Sequence, residues 1–69
     1  MQLGSSEHNQ ISSLITPKDL AVLLKVSNTT IYRIIESRKI SFYKINGSIR
    51  FRHIDVETYM NGNRFEPLK

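Results

Sequence analysis

Residues 16–39 read TPKDLAVLLKVSNTTIYRIIESRK, and the way this stretch divides into two short helices decides the fold. Thr16 can accept a hydrogen bond from the backbone N–H of Asp19, Pro17 at the first helical position gives up no intrahelical bond, and Asp19 puts negative charge in the first turn. Leu20, Ala21, Leu23 and Leu24 follow as one apolar stripe, so a first helix is predicted from about Pro17 to Leu24. Ser27 repeats the capping signal for a second helix with Asn28, Thr29 and Thr30 in its first turn, leaving only Lys25 and Val26 between the two. Two helices joined by so short a turn make a helix-turn-helix. Lys25 stands where such a turn often needs positive φ, at which any side chain costs on the order of 1 kcal/mol relative to Gly.

The second helix has two unlike faces. Val26, Ile31, Ile34 and Ile35 fall at helical spacing as an apolar back, and Asn28, Thr29, Thr30, Tyr32 and Arg33 form a front of hydrogen-bonding groups.

Working outward, the period changes after Arg38 and Lys39 from helical to alternating. Ile40, Phe42 and Lys44 lie on one run and Ile49 and Phe51 on the next, with Asn46-Gly47 between them, the strongest short-range signal for a β-hairpin. With Asn46 and Gly47 as the loop, Ile45 faces Ser48, Tyr43 faces Arg50 and Ser41 faces Arg52, while Phe42 faces Phe51 and Lys44 faces Ile49. The Phe pair is then directed at the core and the arginines away from it. Ile54, Val56, Tyr59 and Met60, with Asp55 and Glu57 among them, predict a third short helix ending near Asn61-Gly62. Residues 1–13 read as a flexible N-terminal segment, 14–62 as one domain of α+β class, and 63–69 as a frayed C-terminal tail. There are no internal repeats.

Composition narrows the function. A core drawn from 69 residues supplies about 3–5 kcal/mol at most, which argues against a large buried active site. The chain contains no cysteine, so neither disulfides nor thiolate-based zinc sites are open to it. No apolar run is long enough to span a bilayer, and the N-terminus lacks the basic and apolar regions of a signal peptide, so the expectation is a cytoplasmic protein without a membrane partner. His8 and His53 have no third ligand at a sensible spacing, and His53 reads as a cap or surface residue; no metal and no cofactor are expected. No serine has a base and an orienting acid placed beside it, so no enzyme activity is expected. The net charge is +4, and its placement matters more: between residues 33 and 52 six cations stand against the single carboxylate Glu36. Such a concentration is the footprint of a phosphate-binding surface, and also that of an ordinary solvated face.

The order helix, tight turn, helix, Asn-Gly hairpin, helix over residues 15–60 resembles the small winged helix-turn-helix proteins of the excisionase and MerR-like group, which includes phage and mobile-element excisionases and AlpA-type regulators. The T-P-x-x-L-A opening, the V-S-x-x-T-I-Y-R run, and the R-F-R strand followed by D-V-E all stand in that family's register. Ala21 matches the small residue where the helices cross, Val26 the apolar residue of the turn, and Ile31 and Ile34 the buried positions of the second helix. Lys25 departs from the family's usual Gly. The resemblance implies that the second helix enters the DNA major groove and that the hairpin is a wing along the backbone or minor groove. It further implies a bacterial or phage-encoded protein acting at the nucleoid, either as an accessory factor in DNA excision beside a tyrosine-type integrase or as a small transcriptional regulator. Cooperative self-association on DNA belongs to the same implication. A protein-interaction module with a basic face is the reading from a different class.

The reading residues expected on the helix are Ser27, Asn28, Thr29, Thr30, Tyr32 and Arg33. An amide such as that of Asn28 suits adenine N6 and N7, and a guanidinium such as that of Arg33 suits guanine O6 and N7. Thr29 and Thr30 suit bases or phosphates, or else satisfy the first turn's own N–H groups. Tyr32 contacts a phosphate or a thymine methyl, or packs on the wing; Arg33 alternatively pairs with Glu36. Lys39, Lys44, Asn46, Ser48, Arg50 and Arg52 are the expected wing and backbone contacts, with Arg50 the choice for the minor groove, or else they confer solubility.

Overall fold

The computed structural model describes residues 14–68. The N-terminal segment 1–13, including His8, and Lys69 lie outside the described residues. The order is α1 (Pro17–Leu24), α2 (Asn28–Glu36), β1 (Tyr43–Ile45), β2 (Ser48–Arg50) and α3 (His53–Gly62). This is an α+β winged helix-turn-helix.

The start of α1 is closed from both directions: Asp19 N donates to Thr16 Oγ1 at 3.0 Å and Thr16 N to Asp19 Oδ2 at 3.2 Å, a reciprocal cap that satisfies two otherwise orphaned donors. It stops at Lys25, where φ is 58°. Lys25 N donates to Val22 O at 3.2 Å and Val26 N to Ala21 O at 3.0 Å, the paired bonds of a Schellman motif, which requires the left-handed residue that Lys25 supplies. Ser27 caps α2 by accepting from Thr30 N at 3.1 Å. A second Schellman motif ends α2, with Arg38 N donating to Ile35 O at 3.0 Å and Lys39 N to Ile34 O at 3.3 Å, and it places Arg38 at φ 55°.

The hairpin pairs Tyr43 with Arg50, Lys44 with Ile49 and Ile45 with Ser48 in antiparallel register. Asn46 at φ 52° and Gly47 at φ 80° are the two positive-φ residues that a type I′ turn demands. The ladder is shorter than expected: Ser41–Arg52 and Phe42–Phe51 are not ladder pairs. Phe51 is taken instead by Ile15, whose N donates to Phe51 O and whose O accepts from Phe51 N, both at 2.8 Å. The residues before α1 thus bind the far end of the hairpin strand, and that geometry turns Phe51 fully into the core.

Ile15, Leu20, Ala21, Ile31, Ile35, Ile40, Phe51 and Val56 form the buried core, with Leu24, Ile34, Phe42, Ile49 and Tyr59 packed against it. Phe42 meets Phe51 edge to face, with ring centroids 6.4 Å apart. Several expected core positions lie elsewhere. Val26 precedes the α2 cap and is 38% exposed, and Leu23 is 55% exposed on the outer side of α1. The second helix buries Ile35 more deeply than Ile34, because Ile31 and Ile35 are one full turn apart and share the line that faces Leu20 and Ala21. Ile54 and Met60 are about half exposed on α3, whose apolar packing comes from Val56 and Tyr59. The cap of α3 is Arg52, not His53, which is exposed at the first helical position. Arg52 has no acceptor to offer; Asp55 Oδ2 accepts from Arg52 N at 2.9 Å.

Candidate nucleic-acid interface

With about 100° between successive residues, Tyr32, Glu36, Thr29 and Arg33 of α2 fan across the side of the helix turned away from Ile31 and Ile35, and Asn28, two turns before Ile35 and nearly in line with it, stands at the edge of that side in the first turn. All five are exposed. Nine residues make α2, a rod about 13 Å long whose diameter of about 10–12 Å with side chains suits the roughly 12 Å width of the major groove.

Tyr32 is 48% exposed, a large aromatic surface left to solvent. Arg33 forms no ion pair with Glu36; among the described residues the ion pairs are Arg52–Asp55 at 3.6 Å and Arg64–Glu66 at 2.9 Å. The backbone carbonyl of Arg33 accepts from Ser37 Oγ at 2.6 Å, and among the described residues the guanidinium itself has no hydrogen-bond or ion-pair partner. Thr30 differs: it is half-buried, and its Oγ1 lies 3.1 Å from Ser27 Oγ. Ser27 and Thr30 therefore spend hydrogen-bonding capacity on each other at the helix start, the capping role being the one the geometry displays. Sequence reasoning gives Glu36 only the role of a partner for Arg33, yet its carboxylate stands on the exposed side; the helical period of 3.6 places it one turn beyond Tyr32.

On the hairpin, Lys39, Lys44, Asn46 and Ser48 are exposed. Arg50 is half-buried and its Nη1 donates to Ile49 O at 2.8 Å. Arg52 lies with its guanidinium 5.5 Å from the Tyr43 ring centroid and beside Asp55. Arg38, absent from the expected set, is exposed between α2 and the hairpin, 5.7 Å from the Phe42 ring centroid. Its sequence signals are its membership of the cationic run 33–52 and its place just past the second helix. The structure thus brings the helix front and the cationic hairpin into one molecule with Arg38 at their junction.

Among the described residues no group of three His, Cys, Asp or Glu side chains is arranged to hold a metal ion, and no helix is long and apolar enough to cross a membrane. No curated protein and no solved structure matches the chain at a significant level. The family model described as helix-turn-helix domain matches residues 14–64, which covers both helices, the hairpin and α3. The chain is therefore a small DNA-binding protein of the helix-turn-helix domain family to which excisionases and AlpA-type regulators belong, a family whose members are typically not enzymes.

Proposed function

We propose that this protein is an excisionase-type accessory factor, which binds and bends attachment-site DNA and so helps a tyrosine-type integrase to excise an integrated element. The observation that carries its DNA-reading part is the exposed side of α2, where Asn28, Thr29, Tyr32 and Arg33 have no side-chain partner among the described residues and stand beside a cationic hairpin. The excision part rests on the resemblance. The unit that binds is residues 14–62.

In this reading Asn28, Thr29, Tyr32 and Arg33 meet base edges in the major groove, while Ser27 and Thr30 hold the start of the helix and direct its free N–H groups toward a phosphate. Glu36 accepts from a cytosine N4 amine and repels any phosphate brought to that position. Lys39, Lys44, Asn46, Ser48 and Arg52 hold the backbone. Arg50 reaches the minor groove by exchanging its bond to Ile49 O for acceptors on the base edges. A helix this short covers few base pairs, so adjacent copies on repeated sites supply the remaining affinity.

Footprinting on the DNA flanking the encoding element, followed by an excision assay with the integrase encoded beside it, tests the proposal. A footprint with stimulated excision is the expected result. A footprint over a promoter without any effect on excision identifies an AlpA-like regulator instead. Binding to an acidic protein with no footprint at all overturns the DNA reading.

A further inference from the structure

Between the end of α2 and the hairpin lies an open cleft of about 480 Å³, walled by Ile35, Glu36 and Arg38 on the helix side and by Phe42, Lys44 and Ile49 on the hairpin side. Arg38 occupies it under an unusual condition. Its φ of 55° lies in the left-handed region that glycine adopts freely, and the two backbone bonds that close the α2 terminus depend on that conformation and not on any side chain. The fold therefore has no need of an arginine there.

What the side chain does is visible. The guanidinium is set 5.7 Å from the centroid of Phe42, and Phe42 is itself braced edge-on against the fully buried Phe51. A guanidinium held over an aromatic face still has N–H donors turned away from the ring and open to an anion. Among the described residues Arg38 makes no ion pair, unlike Arg52, and it donates to no backbone carbonyl, unlike Arg50. Lys44 comes into the same cleft from the opposite wall, and Ile35, Phe42 and Ile49 give the cleft an apolar floor. Two cations over apolar carbon suit a sugar–phosphate unit, whose anionic oxygens take the N–H donors while its deoxyribose carbons lie on the floor. Glu36 on the rim leaves the cleft a surplus of one positive charge, which favours one phosphate over a run of them.

We propose that Arg38 and Lys44 form a DNA-backbone phosphate site at the junction of helix and wing, with Arg38 as the residue that anchors the reading helix in register. The proposal rests on the DNA-binding reading given above. It places a main backbone anchor on a residue outside the hairpin, beside the exposed side of α2.

The test uses the full chain and a random-sequence duplex, with binding followed by fluorescence anisotropy across a salt series. Arg38→Gln and Arg38→Lys carry the same left-handed backbone cost and differ in charge, so a purely structural role moves both alike. The expected result is that Arg38→Gln lowers the slope of log affinity against log salt by about 0.9, the decrement for one phosphate no longer neutralised. Arg38→Lys keeps the parental slope, and Lys44→Ala behaves as Arg38→Gln does. A parental slope in Arg38→Gln, or an equal fall in the Lys and Gln variants, overturns the phosphate site and leaves the DNA-binding reading intact. Absence of salt-dependent binding by the parent itself overturns both. Arg38→Gly keeps the fold by supplying the residue that the turn geometry favours, so a parental slope in that variant overturns the site even if the Gln variant unfolds.

Discussion

Lys25, Arg38 and Asn46 hold backbone conformations that cost an L-residue about 1–2 kcal/mol, least for Asn. At Asn46 the cost is small because its side chain tolerates the left-handed region and the hairpin turn needs two such residues in a row. At Lys25 nothing comparable offsets the cost: no ion pair or aromatic face receives its ammonium among the described residues. Lys25→Gly should therefore raise stability by about 0.5 kcal/mol, the relief of strain less the extra unfolded-state entropy of glycine, and a thermal melt reads this directly. Asp55 is the converse case. It is buried, and among the described residues it supplies the side-chain acceptor at the start of α3, so Asp55→Ala should cost about 1–2 kcal/mol. A urea titration in which that variant keeps the parental midpoint would show that Arg52 N finds an equivalent partner in water.

At the scale of elements, the hairpin and the helices depend on each other through Phe51. Its ring is fully buried, its backbone is tied at both N and O to Ile15, and Phe42 abuts it from the strand before. Truncating Phe51 to Ala removes the largest buried side chain of the core and should cost about 3–5 kcal/mol, comparable with the whole stability of a domain this small. The expected outcome is a protein without dispersed amide resonances at room temperature. A well-dispersed spectrum would mean that the wing is an appendage whose loss the helices survive. The α1 and α2 pair, by contrast, is built from local signals, with both termini of α1 and the start of α2 closed by residues within a few positions.

At the scale of the whole molecule, the exposed side of α2 and the hairpin cations divide the work of recognition in the proposed function. Arg33 stands on the helix front with no ion-pair partner among the described residues, so Arg33→Ala should lose about 1–3 kcal/mol on the cognate site and much less on random DNA. Lys39 is exposed just past α2, and Lys39→Ala should weaken both DNAs alike and lower the salt slope by about one. Isotherms on the two duplexes at several salt concentrations separate these outcomes. If Lys39→Ala were the variant that erased discrimination, reading would belong to the junction and not to the helix.

What the sequence by itself determined lies within short range. The Thr16 and Ser27 caps, the left-handed turn at Lys25, the Asn46-Gly47 hairpin with its three ladder pairs, the bounds of α1, the start of α2 and the end of α3 each depend on residues a few positions apart, whose chemistry has one good local solution. The polar front of α2 was legible for the same reason, since a helical period assigns faces without reference to the rest of the chain. Tertiary structure decided everything that needed two distant segments in place. Ile15 reached Phe51 across 36 positions of sequence, the choice of Ile35 over Ile34 as the buried residue followed from where α1 lay, and Val26 and Leu23 were left outside because none of the described elements covers them. The cations divide in the same way: six in one run look equivalent on paper, and only packing shows that Arg50 is bound to its own backbone, Arg52 to Tyr43 and Asp55, and Arg38 to the ring of Phe42. Charge is a property of the residue, whereas its availability depends on which neighbours the fold brings within reach.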